Sequence, residues 1–393
     1  MIPAGTDSPA AAGVLRQHNT ALILRSLRDA GPLSRTDLAR RTGLAKATVG
    51  TIVGRLLAAG AVEEQDSFAG ARGRPSRPLA LSGARYAALG IEANVDYLAV
   101  VAVDLSGQTL LSEEQPVEVV TPDTIVTAAA GAVSRLADRG RSVVGVTAAV
   151  PGLVDTSRTR VEYAPNLQWR NVELTTLVRD ALGGDVSVAV DNDANCAAFA
   201  EARHGAAQGV PDVLYLTGTT GIGAGIVSAG EIVRGGAGYA GEVGHMRIGD
   251  PEQRCACGRH GCWEAVIGLP AMVRAVGGVR PPAADPVSVA IDIAGEAASE
   301  VRVRNGLAEL GDWLAAGSAV LANALNPSMI VLGGYFVPLG EWLLPRVRAA
   351  LETEVFGSPE CRAELSTLGL RAAATGAAAQ SLDAVFAGRT PLR

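Results

Sequence analysis

Cys255, Cys257 and Cys262 fall within eight positions, in the order Cys-Ala-Cys-Gly-Arg-His-Gly-Cys, with His245 ten residues upstream. Three thiolates and one imidazole satisfy a tetrahedral Zn2+, and four protein ligands leave no coordination position for a reacting water. The pattern predicts a structural zinc that pins a loop. His260, inside the cluster, competes for the fourth place; His245 is preferred because Gly244 and a strand-like Met246-Arg247-Ile248 fix its position. Cys196 and Cys361 read as small buried residues. A second constellation, Asp191-Asn192-Asp193-Ala194-Asn195, follows the apolar run Val186 to Val190. Carboxylates held beside amides at a strand end suit polyol hydroxyls, and one of them can serve as general base. The same residues also read as a helix cap. The third is the Gly-rich stretch Leu216 to Gly225, whose backbone N–H groups can approach an anion after a strand.

Two kinds of scaffold are available to position these groups. From Tyr86 onward, the strands Leu89-Gly90-Ile91, Leu98 to Leu105 and Val143 to Val150 alternate with a helix over Thr124 to Ala137. That alternation implies an α/β domain with a sheet flanked by helices. Ahead of it the grammar is helical. A helix from Leu15 to Ala30 ends at Gly31-Pro32, and Ser34 three positions before Asp37 opens a short helix through Arg41. After the turn at Thr42-Gly43, the residues Val49, Ile52, Val53, Leu56 and Leu57 form one apolar face, stopped by Gly60. Helix, turn, short helix, turn and amphipathic helix make a helix-turn-helix. Ala61 to Glu64 can pair with Leu79-Ala80-Leu81 as a wing, with Arg72, Arg74 and Arg77 near its tip.

Composition agrees with this division. With 393 residues, 48% apolar and 19% charged, the chain has material for two or three folded units and is not disordered. No apolar run reaches membrane-spanning length, since the longest, Val143 to Val154, contains Gly145 and Pro151. No basic region precedes an apolar one at the start, so a cytoplasmic location is expected. The net charge of -6 is uneven: residues 1–80 hold 11 of the 34 basic residues but 6 of the 40 acidic ones. A basic head on an acidic body suits a head that meets nucleic acid.

Taken in order, the winged helix-turn-helix, Val150-Pro151-Gly152-Leu153-Val154-Asp155, Pro165-Asn166-Leu167-x-Trp169, Asp191 to Asn195, Gly241-Glu242-Val243-Gly244-His245, Cys262-Trp263-Glu264 and Asn326 to Gly334 resemble the ROK family of sugar-responsive repressors and bacterial sugar kinases. The resemblance implies a winged helix-turn-helix followed by a two-lobed, actin-like sugar-kinase fold. It divides the chain into a flexible leader (1–13), a DNA-binding domain (14–81) and a sugar-sensing domain (82–393). The first lobe spans about 85–205 plus the C-terminal helix, and the second about 206–375 with the zinc site. It further implies that Asn166, Asn192, Asp193, Glu242, His245 and Glu264 bind sugar hydroxyls, the Asp193 position being the kinase base.

The ATP side departs from the kinases' Asp-x-Gly-Gly-Thr-Lys. Here Glu92-Ala93-Asn94-Val95-Asp96-Tyr97 puts side chains where glycines are needed and adds the Asp96 charge, and Thr219 replaces the first glycine of the second loop. Phosphoryl transfer depends on positioning and electrostatics, so no useful kinase activity is expected and Asp193 is vestigial as a base. The function expected is a transcriptional repressor of double-stranded operator DNA, a homodimer or homotetramer controlled by a sugar. Lys46, Thr48, Thr51 and Arg55 face DNA from the third helix, and Arg72 and Arg74 from the wing. Ala45 stands where many relatives have a capping Ser. The alternatives are an active ATP-dependent sugar kinase with an appended head, and a partner-binding scaffold with a vestigial pocket.

Overall fold

The computed structural model describes residues 9–66, 77–184, 186–219, 221–278, 285–357 and 360–392. Helix α1 spans Pro9–Ala30, so helix begins inside the leader expected over 1–13. Proline at the first position and the alanines after it favour that early start. Helix α2, Arg35–Thr42, is capped as its sequence predicts: Ser34 Oγ accepts the Asp37 N–H at 3.1 Å and donates to Asp37 Oδ2 at 2.7 Å. Gly43, at φ +71°, ends it. Helix α3, Lys46–Ala58, buries Val49, Ile52, Val53 and Leu56 and has no side-chain cap at Ala45. Strands β1 (Val62–Glu64) and β2 (Leu79–Leu81) pair antiparallel, as the wing requires.

The body contains two five-stranded sheets built on one plan. In the first, β3 (Tyr86–Ala93), β4 (Tyr97–Asp104) and β5 (Thr109–Pro116) form a meander, and α4 (Pro122–Asp138) leads to β6 (Ser142–Val150), parallel to β3. A small sheet of β7 (Leu153–Val154), β8 (Val161–Ala164) and β9 (Trp169–Val172) precedes α5 (Leu174–Ala181) and β10 (Ser187–Asn192), giving the order β10-β6-β3-β4-β5. After α6 (Asp193–His204), the meander recurs as β11 (Val213–Gly218), β12 (Ile222–Ser228) and β13 (Glu231–Ile232). Helices α7 (Glu264–Ile267), α8 (Leu269–Ala275), α9 (Pro286–Ser299) and α10 (Val301–Leu325) follow. Then come β14 (Met329–Gly334), α11 (Gly340–Glu354) and β15 (Arg362–Leu365), with the order β13-β12-β11-β14-β15. The chain closes with α12 (Ala372–Phe386).

Strand periodicity explains why β3 and β4 read as unbroken apolar runs. Ala87, Leu89, Ile91, Leu98, Val100 and Ala102 pack under α4, whereas Tyr86, Ala88, Tyr97, Ala99, Val101 and Val103 face the other way. That second face is covered by α12 and by the head: Ile23, Leu24 and Leu27 of α1 share a cluster with Leu382, Val385 and Phe386. Small residues let α12 lie close, and a Cβ on Gly90 would stand 2.0 Å from the Ala374 carbonyl oxygen. Among the described residues no helix is long and apolar enough to cross a membrane.

Candidate functional site

His245 lies at the end of a 3-10 turn, Val243–His245. Met246 to Ile248 do not continue as the expected strand; the turn itself fixes the imidazole. Its Nδ1 stands 3.9 Å from Cys255 Sγ, while Cys257 Sγ and Cys262 Sγ are 3.7 Å apart. All four ligand atoms lie within 4.8 Å of one another, and His260 is not among them. A tetrahedron of metal–sulfur bonds about 2.3 Å long has edges of about 3.8 Å, so the four groups fit one ion. Nδ1 faces the cluster, which leaves Nε2 for another partner. Cys196 is fully buried and Cys361 half-buried.

Next to this cluster is a group of carboxylates, Glu242, Glu264 and Asp193, close enough to act on one another. Gly241, at φ +104° with no room for a Cβ against the Ala224 carbonyl, sets Glu242 at the start of the 3-10 turn. Glu264 opens α7, its Oε2 accepting the Ile222 N–H at 2.9 Å. Desolvation raises the Glu242 carboxyl, and Glu264 raises it further against the opposing pull of His245. Asp193 opens α6, and desolvation, with a contribution from Glu242, lifts its pKa to about 7. Asn192 caps the same helix: Oδ1 accepts the Asn195 N–H at 3.1 Å and Nδ2 donates to the Gly152 carbonyl at 3.2 Å. Helix cap and site are thus the same residue, with one N–H and one lone pair left over. Asn166 is exposed on the 3-10 turn Pro165–Leu167, and no described contact joins it to the other five residues.

A carboxyl with a folded pKa near 7, against an unfolded value near 3.8, gives stability that is complete below pH 4 and is lost as pH rises to 7. Urea unfolding of Asp193→Asn should therefore show roughly 2–3 kcal/mol less loss between pH 5 and pH 7 than the parent chain. An identical pH profile would mean that Asp193 is already ionised at pH 5.

The turn between β3 and β4, where the kinase phosphate loop is expected, is closed on itself. Asn94 N–H donates to the Tyr97 carbonyl at 3.0 Å, and Val95 N–H to Asn94 Oδ1 at 2.7 Å, so both donors are consumed. Tyr97 Oη donates to Glu92 Oε1 at 2.7 Å, and Glu92 Oε2 accepts the Ala374 N–H at 3.2 Å. Asp96 is exposed; the buried carboxyl here is Glu92, which burial pushes up to about 8. The cavity between Glu92, Tyr97, Asp193, Thr217, Thr219 and Gly334 measures about 20 Å³, room for one water. The Gly-rich stretch is a hairpin between β11 and β12, in which the Thr219 N–H donates to Gly221 O at 3.0 Å.

In the head, Lys46, Thr51 and Arg55 are exposed on α3 and Thr48 is half-buried. Arg72 and Arg74 lie outside the described residues. Arg77 is exposed and stands 3.8 Å from Glu64. Sequence reasoning missed the Tyr97 hydroxyl and an arginine group around Asp191, neither of which sits in a motif.

Residues 12–73 match the MarR family model and residues 88–383 that of the ROK family. The chain is 27% identical over 368 residues to the xylose repressor of Bacillus spizizenii, covering 92% of this chain and 94% of that protein. It is 28% identical to the DNA-binding transcriptional dual regulator NagC of Escherichia coli, covering 93% of each. Among solved structures, a ROK family transcriptional regulator homologous to the E. coli MLC protein superposes with a TM-score of 0.80, at 25% identity, over 95% of this chain and 97% of that one. A ROK glucokinase from Streptomyces griseus, in complex with glucose and AMPPNP, covers 75% of this chain and 98% of its own, with TM-score 0.63 and 31% identity. The winged head and the two-lobed body are therefore read as one architecture: the chain belongs to the ROK family.

Proposed function

We propose that this protein is a sugar-responsive transcriptional repressor whose kinase-like body senses the sugar and does not phosphorylate it. The observation that carries the reading is the closed turn between β3 and β4 beside a group of carboxylates, in a chain that also has a capped helix-turn-helix head. A relative named as a xylose repressor matches over 92% of this chain, whereas the glucokinase covers 75% of it. Asn166, Asn192, Asp193, Glu242, Glu264 and the Nε2 of His245 hold the sugar hydroxyls. Direct hydrogen bonds from carboxylates and amides give that recognition its strength. Lys46, Thr48, Thr51 and Arg55 meet the major groove, with Arg72 and Arg74 on the backbone or minor groove. The protein works as a homodimer or homotetramer in the cytoplasm, each pair of heads reading a two-fold operator.

Mobility shift on DNA upstream of the chain's own gene, with and without a panel of sugars, tests this. The intact chain should bind with an affinity that falls steeply with salt, and one sugar should weaken it at least about tenfold. ATP-dependent sugar phosphorylation at about 1 s⁻¹ or more would overturn the reading in favour of the kinase.

The ion in the His245, Cys255, Cys257 and Cys262 cluster is structural zinc. Cys257→Ser should lose the metal and lower the melting temperature by roughly 5–10 °C, the equivalent of about 3 kcal/mol. Elemental analysis of the purified chain should give one zinc per chain; none would remove the site.

A further inference from the structure

Asp191 precedes Asn192 on β10 and so turns to the opposite face of the strand. On that face a cavity of about 270 Å³ lies between the two lobes and the end of α12. Three arginines line it from distant parts of the chain: Arg158 in the turn between β7 and β8, Arg234 after β13, and Arg389 after α12. Arg158 holds a left-handed backbone, φ +59°, a conformation that costs a non-glycine residue energy and that its neighbours must enforce.

The guanidinium groups are short of counter-charge. Asp191 Oδ2 serves both Arg234, at 2.5 Å, and Arg158, at 3.4 Å. Asp383 Oδ1 and Oδ2 serve three more, Arg28 at 3.1 Å, Arg389 at 3.7 Å and Arg203 at 3.9 Å. Counting Asp29, which pairs with Arg28 at 2.8 Å, three carboxylates share five guanidinium groups, and Glu231 also lines the cavity. The Nε–H of Arg234 is buried and has no hydrogen-bond partner, and that of Arg158 has only the long ion-pair contact to Asp191. An unmet buried donor is costly, and one beside this cavity marks a place for an acceptor. Gln380 Oε1 accepts from Arg158 and holds that guanidinium against α12.

We propose that this cavity binds a phosphate monoester, at a site separate from the group of Glu242, Glu264 and Asp193. Arginine forks match oxyanions, whereas those carboxylates match hydroxyls. Arginines arriving from three directions suit the pyramid of three terminal phosphate oxygens better than a flat carboxylate, which one fork saturates. The volume exceeds one phosphate group and leaves room for a small organic body against Phe199. Arg389, with 64% of its side chain exposed, is free to swing onto the ligand. The proposal stands or falls separately from the sugar reading, because its readout is direct binding.

The test is calorimetry on the full chain with inorganic phosphate, glycerol 3-phosphate and citrate, at ionic strength held constant with chloride. Saturable binding is expected for both phosphates, with glycerol 3-phosphate the tighter and citrate the weakest. Arg389→Gln, at an exposed side chain that folding does not need, should weaken phosphate binding by about tenfold or more. Arg234→Gln should do the same, with its melting temperature without ligand showing that it has folded. Arg346→Gln, which removes one surface charge elsewhere, should leave the affinity unchanged. The proposal is overturned if neither phosphate saturates, if citrate binds more tightly than glycerol 3-phosphate, or if Arg389→Gln binds like the parent chain. A loss as large in Arg346→Gln would also overturn it, since net charge alone would then explain the binding.

Discussion

Gly376→Ala is expected to destabilise the protein by about 3 kcal/mol or more, a melting-temperature loss of at least roughly 5 °C. A Cβ on Gly376 would stand 1.7 Å from the carbonyl oxygen of Cys196, where α12 crosses α6 backbone against backbone. Neither partner can move away. α12 is held on its other side by β3 at Gly90, and α6 by β12, where a Cβ on Gly225 would stand 2.3 Å from the Ala194 carbonyl oxygen. The methyl group must therefore separate elements that carry Glu92 contacts and Asp193 at once. Gly295→Ala on α9 is the control, because nothing lies within 4 Å of its added methyl. There alanine should stabilise by up to about 1 kcal/mol through helix propensity. Equal melting temperatures for Gly376→Ala and the parent chain would show that the crossing is looser than described.

Glu242→Ala should abolish the response of operator binding to sugar while leaving operator affinity without sugar unchanged. The carboxylate sits between Asp193, Glu264 and His245, so one substitution removes an acceptor for hydroxyls and relieves the repulsion that helps raise Asp193. Hydrogen bonds to a charged group contribute about 1.5–3 kcal/mol each, so sugar affinity should fall by at least about tenfold. Linkage sets a second check: if sugar weakens operator binding tenfold in the parent chain, operator must weaken sugar binding tenfold, about 1.4 kcal/mol of coupling. A Glu242→Ala protein that binds DNA poorly without sugar, or that still responds normally, would place the sensor elsewhere.

The sequence was most informative where chemistry is local. Ser34 and Asp37 announced a cap three residues apart, the face of α3 repeated at helical spacing, and the metal cluster was confined to one loop plus His245. The buried strand β4 was also legible as a nearly continuous apolar run, but not what would cover its second face. That cover comes from α12, whose alanines and glycine carry no periodic signal of a partner. At the turn from Glu92 to Tyr97 the sequence drew attention to Asp96 rather than to the group that is buried there. Asp96 points its charge to the surface, while Tyr97, bonded to Glu92, fills the space; a tyrosine's partner five residues away leaves no pattern to read. Asp191 looked like a companion of Asp193, and strand alternation sends it to arginines from two other segments.

The shared cluster of α1 and α12 has a consequence for biosynthesis. Arg28 of the head pairs with Asp383, 355 positions later, and lies over the Phe386 ring at 4.9 Å. At about 5–20 residues per second, α1 emerges from the ribosome roughly 20–70 s before the helix that completes its packing. Until α12 is made, Ile23, Leu24 and Leu27 lack part of their cover, and a chain cut short before it by nonsense or proteolysis presents that surface to chaperones and proteases. Synthesis of α12 thereby acts as a proofreading step: only molecules that contain it, sensor included, carry a fully packed DNA-binding head.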